Sequence, residues 1–264
     1  MKIMIGILAT LAGAQAWAVN IASCPFAISA PGNYVVTANL TCPGDGITIT
    51  ASNVSLNLNG HIMTGSTTGI GIFLSPNSGR LNHVGISGPG LIQTFTFGIA
   101  ISNIDDAQVS LVTVAGNREG VAAASVNRLN IGSNVIVRSI VVGLQMQFSM
   151  NVAVTGNQVV GNALGIQLAA GSATISGNTV SGNSGAGIDI DFGGNTSRVS
   201  SNITNGNGGA GIVIVAGAGG GNQIFSNTSS VGNGGFDLED DNASCDANFW
   251  SSNVFFTKSQ ACVN

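Results

Sequence analysis

Charge is what this 264-residue chain has least of. Seven Lys and Arg stand against eleven Asp and Glu, 7% of the residues where about 25% is usual. So few cations at a net charge of −4 cannot neutralise a phosphate backbone, which excludes nucleic acid as a partner. Proline occurs five times, histidine twice and tyrosine once. The mean hydropathy of +0.40 is high. Even so, no apolar run in the body of the chain reaches the roughly 18 residues that a membrane span needs. In place of charge there are 39 Gly, 29 Asn and 44% hydrophobic residues. That is enough apolar material for one sizeable core, and it excludes disorder.

Met1–Ala18 has the pattern of a secretory signal peptide. Lys2 is followed by the apolar stretch 3–14 and an A-x-A cleavage site at Ala16-Trp17-Ala18. Export implies an oxidising compartment (periplasm, cell surface or medium) in which cysteines pair. The four cysteines allow three connectivities. Cys24 and Cys42 lie close in sequence, as do Cys245 and Cys262, and metal-site spacing with nearby histidines is missing. Two local disulfides are expected, each contributing about 3 kcal/mol for loops of this length.

The organising feature is an internal repeat. A glycine followed by an apolar residue recurs at Gly46, Gly71, Gly98, Gly120, Gly143, Gly165, Gly187, Gly211 and Gly235, at intervals of 22 to 27 residues. One and three residues after each glycine stand pairs such as Ile47/Ile49, Leu144/Met146, Ile188/Ile190 and Phe236/Leu238. All of these positions are apolar, which is the alternation of a half-buried strand. Asn-bearing turns such as Gly156-Asn157, Gly177-Asn178, Ser201-Asn202 and Ser226-Asn227 fall between them. Asn and Gly tolerate the left-handed conformation of tight turns, and stacked amides can bond up a ladder.

A repeat near 23 residues without helix-forming stretches predicts an all-β, right-handed, single-stranded parallel β-helix of about nine rungs. Eight steps of about 4.8 Å cover roughly 38 Å. Stacking also explains the missing charge. Like charges on adjacent rungs would repel by roughly 1 kcal/mol even in water, whereas Asn, Ser, Thr and Gly stack without that cost. The expected organisation is a signal at 1–18, an N-terminal cap at 19–45, the helix at 46–239 and a C-terminal cap at 240–264. Phe249, Trp250, Phe255 and Phe256 are expected to plug the far end, with a sugar-stacking platform as their alternative role.

Ser55-Leu56-Asn57-Leu58-Asn59-Gly60-His61 followed by Thr64-Gly65 resembles the LDLNGHxIxG element that opens many secreted bacterial β-helix proteins, with Asn57 where the element usually has Asp. Pro31-Gly32-Asn33-Tyr34-Val35 and Cys245-x3-Phe249-Trp250-x2-Asn253 are similar to the same group. The resemblance is to the pectate-lyase-like superfamily, including NosD-type domains. It implies the fold, and it implies that an active site, where one exists, lies on the outward face of one sheet. The superfamily holds lyases, glycosidases, epimerases and non-catalytic proteins, so activity does not follow from fold.

On the glycine-led strands, the outward positions are two and four residues after each glycine. Most are small or neutral. Gln145, Gln147, Gln167, Asp189 and Asp191 make one polar patch, and Asp237, Glu239, Asp240 and Asp241 a second, acidic one. Amides and carboxylates suit sugar hydroxyls, so these residues (without Asp240 and Asp241) are the candidate carbohydrate-binding set. Asp189 and Asp237, two rungs or about 9.6 Å apart across Val213, sit at the edge of the 6.5–9.5 Å spacing of inverting glycosidases. The catalytic motifs of polygalacturonases and epimerases are absent, and no catalytic residue is assigned. No cofactor or metal is expected. Calcium at Asp237–Asp241 is the weak alternative, since Ca²⁺ needs six to eight close oxygens. His61 falls some six rungs from Asp189, and His83 is one rung further along.

The leading expectation is an exported, monomeric, non-catalytic β-helix protein with a surface or scaffold role that contacts polysaccharide. A polysaccharide-active enzyme using the outer-face acids is the alternative. An accessory protein for periplasmic metal handling is the third reading.

Overall fold

The structure is a computed structural model that describes residues 18–230 and 232–264. Met1–Trp17, nearly all of the expected export signal, lies outside the described residues. The described chain winds as a right-handed parallel β-solenoid of about ten turns. Among the described residues the only helical element is a single 3₁₀ turn at Ala243–Cys245, and no helix is long and apolar enough to cross a membrane.

Each turn of the chain, or rung, adds one strand to each of three parallel sheets. The first sheet is built from the glycine-led strands and runs from Phe26–Ile28 to Leu238–Asp240. The second runs from Val19–Ile21 to Phe249–Ser251, and the third from Leu40–Thr41 to Val254–Phe255. Nine rungs were expected from Gly46 onward. The additional strand, Phe26–Ile28, lies ahead of them and pairs Ile28 with Ile49.

The inward pairs from Ile47/Ile49 to Ile212/Ile214 are all buried, Ile188 and Ile190 completely. Each large aliphatic side chain removed from water in this way contributes about 1.5–3 kcal/mol. The marker glycines are required by close approach. A Cβ on Gly187 would lie 2.6 Å from the Gly211 carbonyl oxygen on the next rung and 2.8 Å from Asn207 Nδ2.

The last rung departs from the expected register. Ile212 pairs with Leu238 and Ile214 with Asp240, so Asp237, not Gly235, stands beside Gly211. Leu238 is in the core as expected, but Phe236 is 41% exposed in the turn before the strand. The slip is of two residues, which leaves the inward–outward alternation unchanged and is therefore invisible to periodicity.

The asparagines form ladders inside the turns. In the longest, the backbone N–H and side-chain amide of Asn134, Asn157, Asn178, Asn202 and Asn227 each donate to the Oδ1 of the next, ending at Asn253. The second Nδ2 hydrogen goes back to a carbonyl of the preceding rung, as from Asn202 to Ile175 at 2.8 Å. Both donors and the acceptor are thereby satisfied in a site closed to water, where an orphaned polar group costs about 1–3 kcal/mol. A second ladder runs through Asn162, Asn183, Asn207 and Asn233.

At the far end, residues 257–259 lie along Leu238, and Val263 is fully buried. Cys245–Cys262 ties this tail down, and Cys24–Cys42 closes the opposite end, the two local pairs expected. Of the four aromatics, Trp250 enters the core and Phe255 packs against it. Phe249 and Phe256 stay exposed.

Three substitutions test this account by urea or thermal unfolding. Asn202→Ala orphans two donors of Asn178, takes the side-chain donor from Ile175 O and leaves Asn227 Oδ1 only the backbone N–H of residue 202, and destabilises by about 3 kcal/mol or more. Asn130→Ala on the exposed face changes stability by no more than about 0.5 kcal/mol. Gly187→Ala forces its new Cβ against fixed backbone and costs about 1–3 kcal/mol.

Candidate functional site

The outward column of the first sheet is set by its register. Thr48, Phe73, Ala100, Ala122, Gln145, Gln167, Asp189, Val213 and Glu239 follow one another, one per rung. Beside them, Ser102, Ala124, Gln147 and Ala169 form a second column.

Small side chains in the middle of these columns leave a groove of about 290 Å³. Phe73 and Phe97 wall one end, Ala100, Ala122 and Ala124 form the floor, and Gln145 and Gln147 close the other end. Glu119 lines one side. Burial pushes its carboxyl above the usual range, against the pull of Arg118, whose Nη1 lies 3.7 Å from Glu119 Oε1.

Beyond the groove the expected polar patch is continuous. Gln145 Nε2 donates to Gln167 Oε1 at 2.7 Å, and Gln167 Nε2 donates to Asp191 Oδ2 at 3.0 Å. Asp191 Oδ1 also accepts the Phe192 N–H at 2.7 Å. Asp189, two residues back on the strand Ile188–Ile190 that Asp191 follows, has a buried Oδ1 without a partner. Burial, then the charges of Asp191 and Asp241, push its carboxyl up to about 6. Phe148 and Phe192, 82% and 67% exposed, follow Gln147 and Asp191 at the edge of this sheet.

Of the second expected patch, only Glu239 and Asp241 reach the surface, while Asp237 and Asp240 are buried. Asp237 is 4% exposed and takes the place of a marker glycine. Its Oδ1 ends the second ladder by accepting Asn233 Nδ2, and its Oδ2 accepts the N–H groups of Phe256 and Thr257. Burial acts to raise its pKa, but these hydrogen bonds together outweigh it and hold the carboxyl below the usual range. Asp240 points inward and accepts Trp250 Nε1 at 2.9 Å.

Glu239 is therefore the acid two rungs beyond Asp189, across the buried Val213. Burial, then the charge and hydrogen bond of Asp241, raise its pKa. Among the described residues no three His, Cys, Asp or Glu side chains converge on a cation position. His61 lies in a turn before the third-sheet strand Ile62–Thr64. His83 sits 3.5 Å from Asp106 ahead of the second-sheet strand Val84–Ser87. Neither belongs to the first-sheet face.

Sequence reasoning missed Glu119 and the groove. Glu119 stands one residue before its marker glycine, a column that was not counted. From Ile70 through Phe97, Val142, Leu164 and Ala186 to Ala210 that column is otherwise apolar, and the acid stands out once the rungs are aligned.

A family model described as a right handed beta helix region matches residues 97–259. The chain belongs to the right-handed β-helix family. No curated protein matches this β-helix. Among solved structures it is similar to a periplasmic alginate epimerase at 13% identity and TM-score 0.60, covering 85% of this chain and 68% of that one. It is also similar to the enzymatically active domain of bacteriophage CBA120 tailspike protein 2, at 16% identity and TM-score 0.58 over 84% of this chain and 38% of that one. For a lacto-N-biosidase from Eubacterium ramulus the identity is 14% and the TM-score 0.63, over 83% and 48%. At these identities the likeness is one of fold, and the β-helix spans less than half of the last two chains.

Asp189 gives this face a pH signature. The stability contributed by its protonated form is fully present below its ordinary 3.8 and is lost as pH rises through about 6. Asp189→Asn is expected to leave stability near pH 4 unchanged and to raise it above pH 6, by at most about 3 kcal/mol. Unfolding curves at acid and neutral pH check this.

Proposed function

We propose that this β-helix is an exported surface or scaffold protein that holds a polysaccharide strand along the outward face of its first sheet without cleaving it. The observation that carries the reading is the groove between Phe73/Phe97 and Gln145/Gln147, continued by Gln167 and Asp191. Aromatic rings offer faces to the C–H surface of a sugar, the alanine floor lets the ring approach, and each amide supplies both a donor and an acceptor to hydroxyls. A chain lying along the axis meets a new rung about every 4.8 Å, close to the length of one pyranosyl unit. The glycan-related names of the alginate epimerase and the lacto-N-biosidase support a carbohydrate partner at the level of fold. The two disulfides support export.

A second reading is favoured by one pair. Asp191 is held by Gln167 and the Phe192 N–H, while Asp189, two residues before it, keeps a raised pKa. A buried carboxyl with a raised pKa beside a hydrogen-bonded carboxylate suits a glycosidase, with Asp189 as acid and Asp191 as base.

A glycan array read beside a reducing-end assay tests both readings. Binding without product is expected, and Ala122→Trp, which fills the groove floor, should weaken binding at least tenfold. Release of reducing ends that Asp191→Asn abolishes would instead establish the hydrolase. An array with no positive glycan would remove the binding function.

A further inference from the structure

We propose that the strand accepted on this face is an uncharged glycan, and that polyuronates and other polyanionic glycans are excluded. The inference rests on the glycan-binding reading and specifies its substrate class.

Acids occupy the first-sheet face at Glu119, Asp189, Asp191, Glu239 and Asp241. Arg118, paired with Glu119, is the one cation beside it among the described residues. The others are engaged or stand elsewhere. Arg80 bonds Asp105 and the carbonyls of Ile104 and Ser125. Arg198 lies over Phe225 and donates to Gln223 on the second sheet. Lys258 donates to the Val263 carbonyl over the Phe255 ring. Arg128 leads into the second-sheet part of the strand Glu119–Gly132, and Arg138 follows the third-sheet strand Val135–Val137.

A uronate polymer carries one carboxylate per sugar, so a strand in register with the rungs would bring a negative charge to nearly every acid on its path. At about one rung of separation, each unscreened like-charge contact weakens binding roughly fourfold even in water. Two such contacts exceed tenfold, and salt reduces the effect. A neutral sugar meets no such penalty. Its hydroxyls can donate to Glu119 and Asp191 and exchange hydrogen bonds with Gln145, Gln147 and Gln167. The acids thus work against a wrong partner while still serving the right one. The fold shared with an alginate epimerase at 13% identity does not bear on this choice, because charge placement is a property of this face alone.

The experiment measures binding of the purified chain to length-matched neutral β-linked oligosaccharides and to oligogalacturonates and oligomannuronates, at low and high salt. The Asp189→Asn/Asp191→Asn double variant is measured in parallel. Neutral ligands should bind at least tenfold more tightly than uronates at low salt. High salt and the double variant should each narrow that gap several-fold. Equal or tighter binding of uronates at low salt would overturn this inference while leaving the glycan-binding reading intact. A preference for neutral ligands that neither salt nor the double variant changes would overturn its electrostatic cause. Binding of neither class would instead remove the reading on which it rests.

Discussion

Parallel hydrogen bonding between successive rungs, about 4.8 Å apart, is the constraint from which the rest of this molecule follows. In-register stacking turns every position of the repeat into a column of like residues. A column of charges is self-repelling, a column of aliphatic side chains is a core, and a column of asparagines is a ladder in which each amide satisfies its neighbour. The marker glycines belong to the same logic. Where the carbonyl of the next rung and a ladder amide crowd the backbone, as at Gly187, a Cβ has no room.

A stack held together by repetition has to stop, and at its C-terminal end the rules are broken in a specific way. The register slips by two, an aspartate replaces the marker glycine, and a second aspartate points into the core. Both carboxylates serve as terminators. Asp237 absorbs the last amide of a ladder and two N–H groups of the tail. Asp240 takes the indole N–H of Trp250 and the amides of Asn242 and Asn248. Buried acids need this many donors, because an unpaired one would be far too costly. Together with the disulfide at Cys245–Cys262 they close an end that would otherwise expose strand edges.

The outward side of the first sheet is a face whose columns change residue type from rung to rung. Along the outward side of the first sheet, Phe, Ala, Gln and Asp succeed one another, so that apolar, small, amide and acidic surfaces lie in sequence along one path. The change of residue type from rung to rung gives this face a direction, and acids that outnumber Arg118, the one cation beside it among the described residues, give it a sign. The family supplies the scaffold, while the chemistry of the site belongs to these particular side chains.

Period and alternation were enough to read the solenoid, its inward pairs as far as Ile212/Ile214 and the asparagine ladders, because each is a local pattern repeated until chance is excluded, and the spacing of the four cysteines was enough for the two local disulfides. The polar run from Gln145 to Asp191 was legible for the same reason. Three things were not. A two-residue slip preserves alternation, so the burial of Asp237 and the outward turn of Phe236 left no trace in the pattern. Glu119 lay outside the counted columns. The groove exists only as the space between Phe73, Phe97, a few small residues and two glutamines, brought together from four successive rungs. Repetition along the chain determines which way a side chain faces, but empty volume, burial of a charge and the end of a stack depend on which rungs become neighbours, and that is decided in three dimensions.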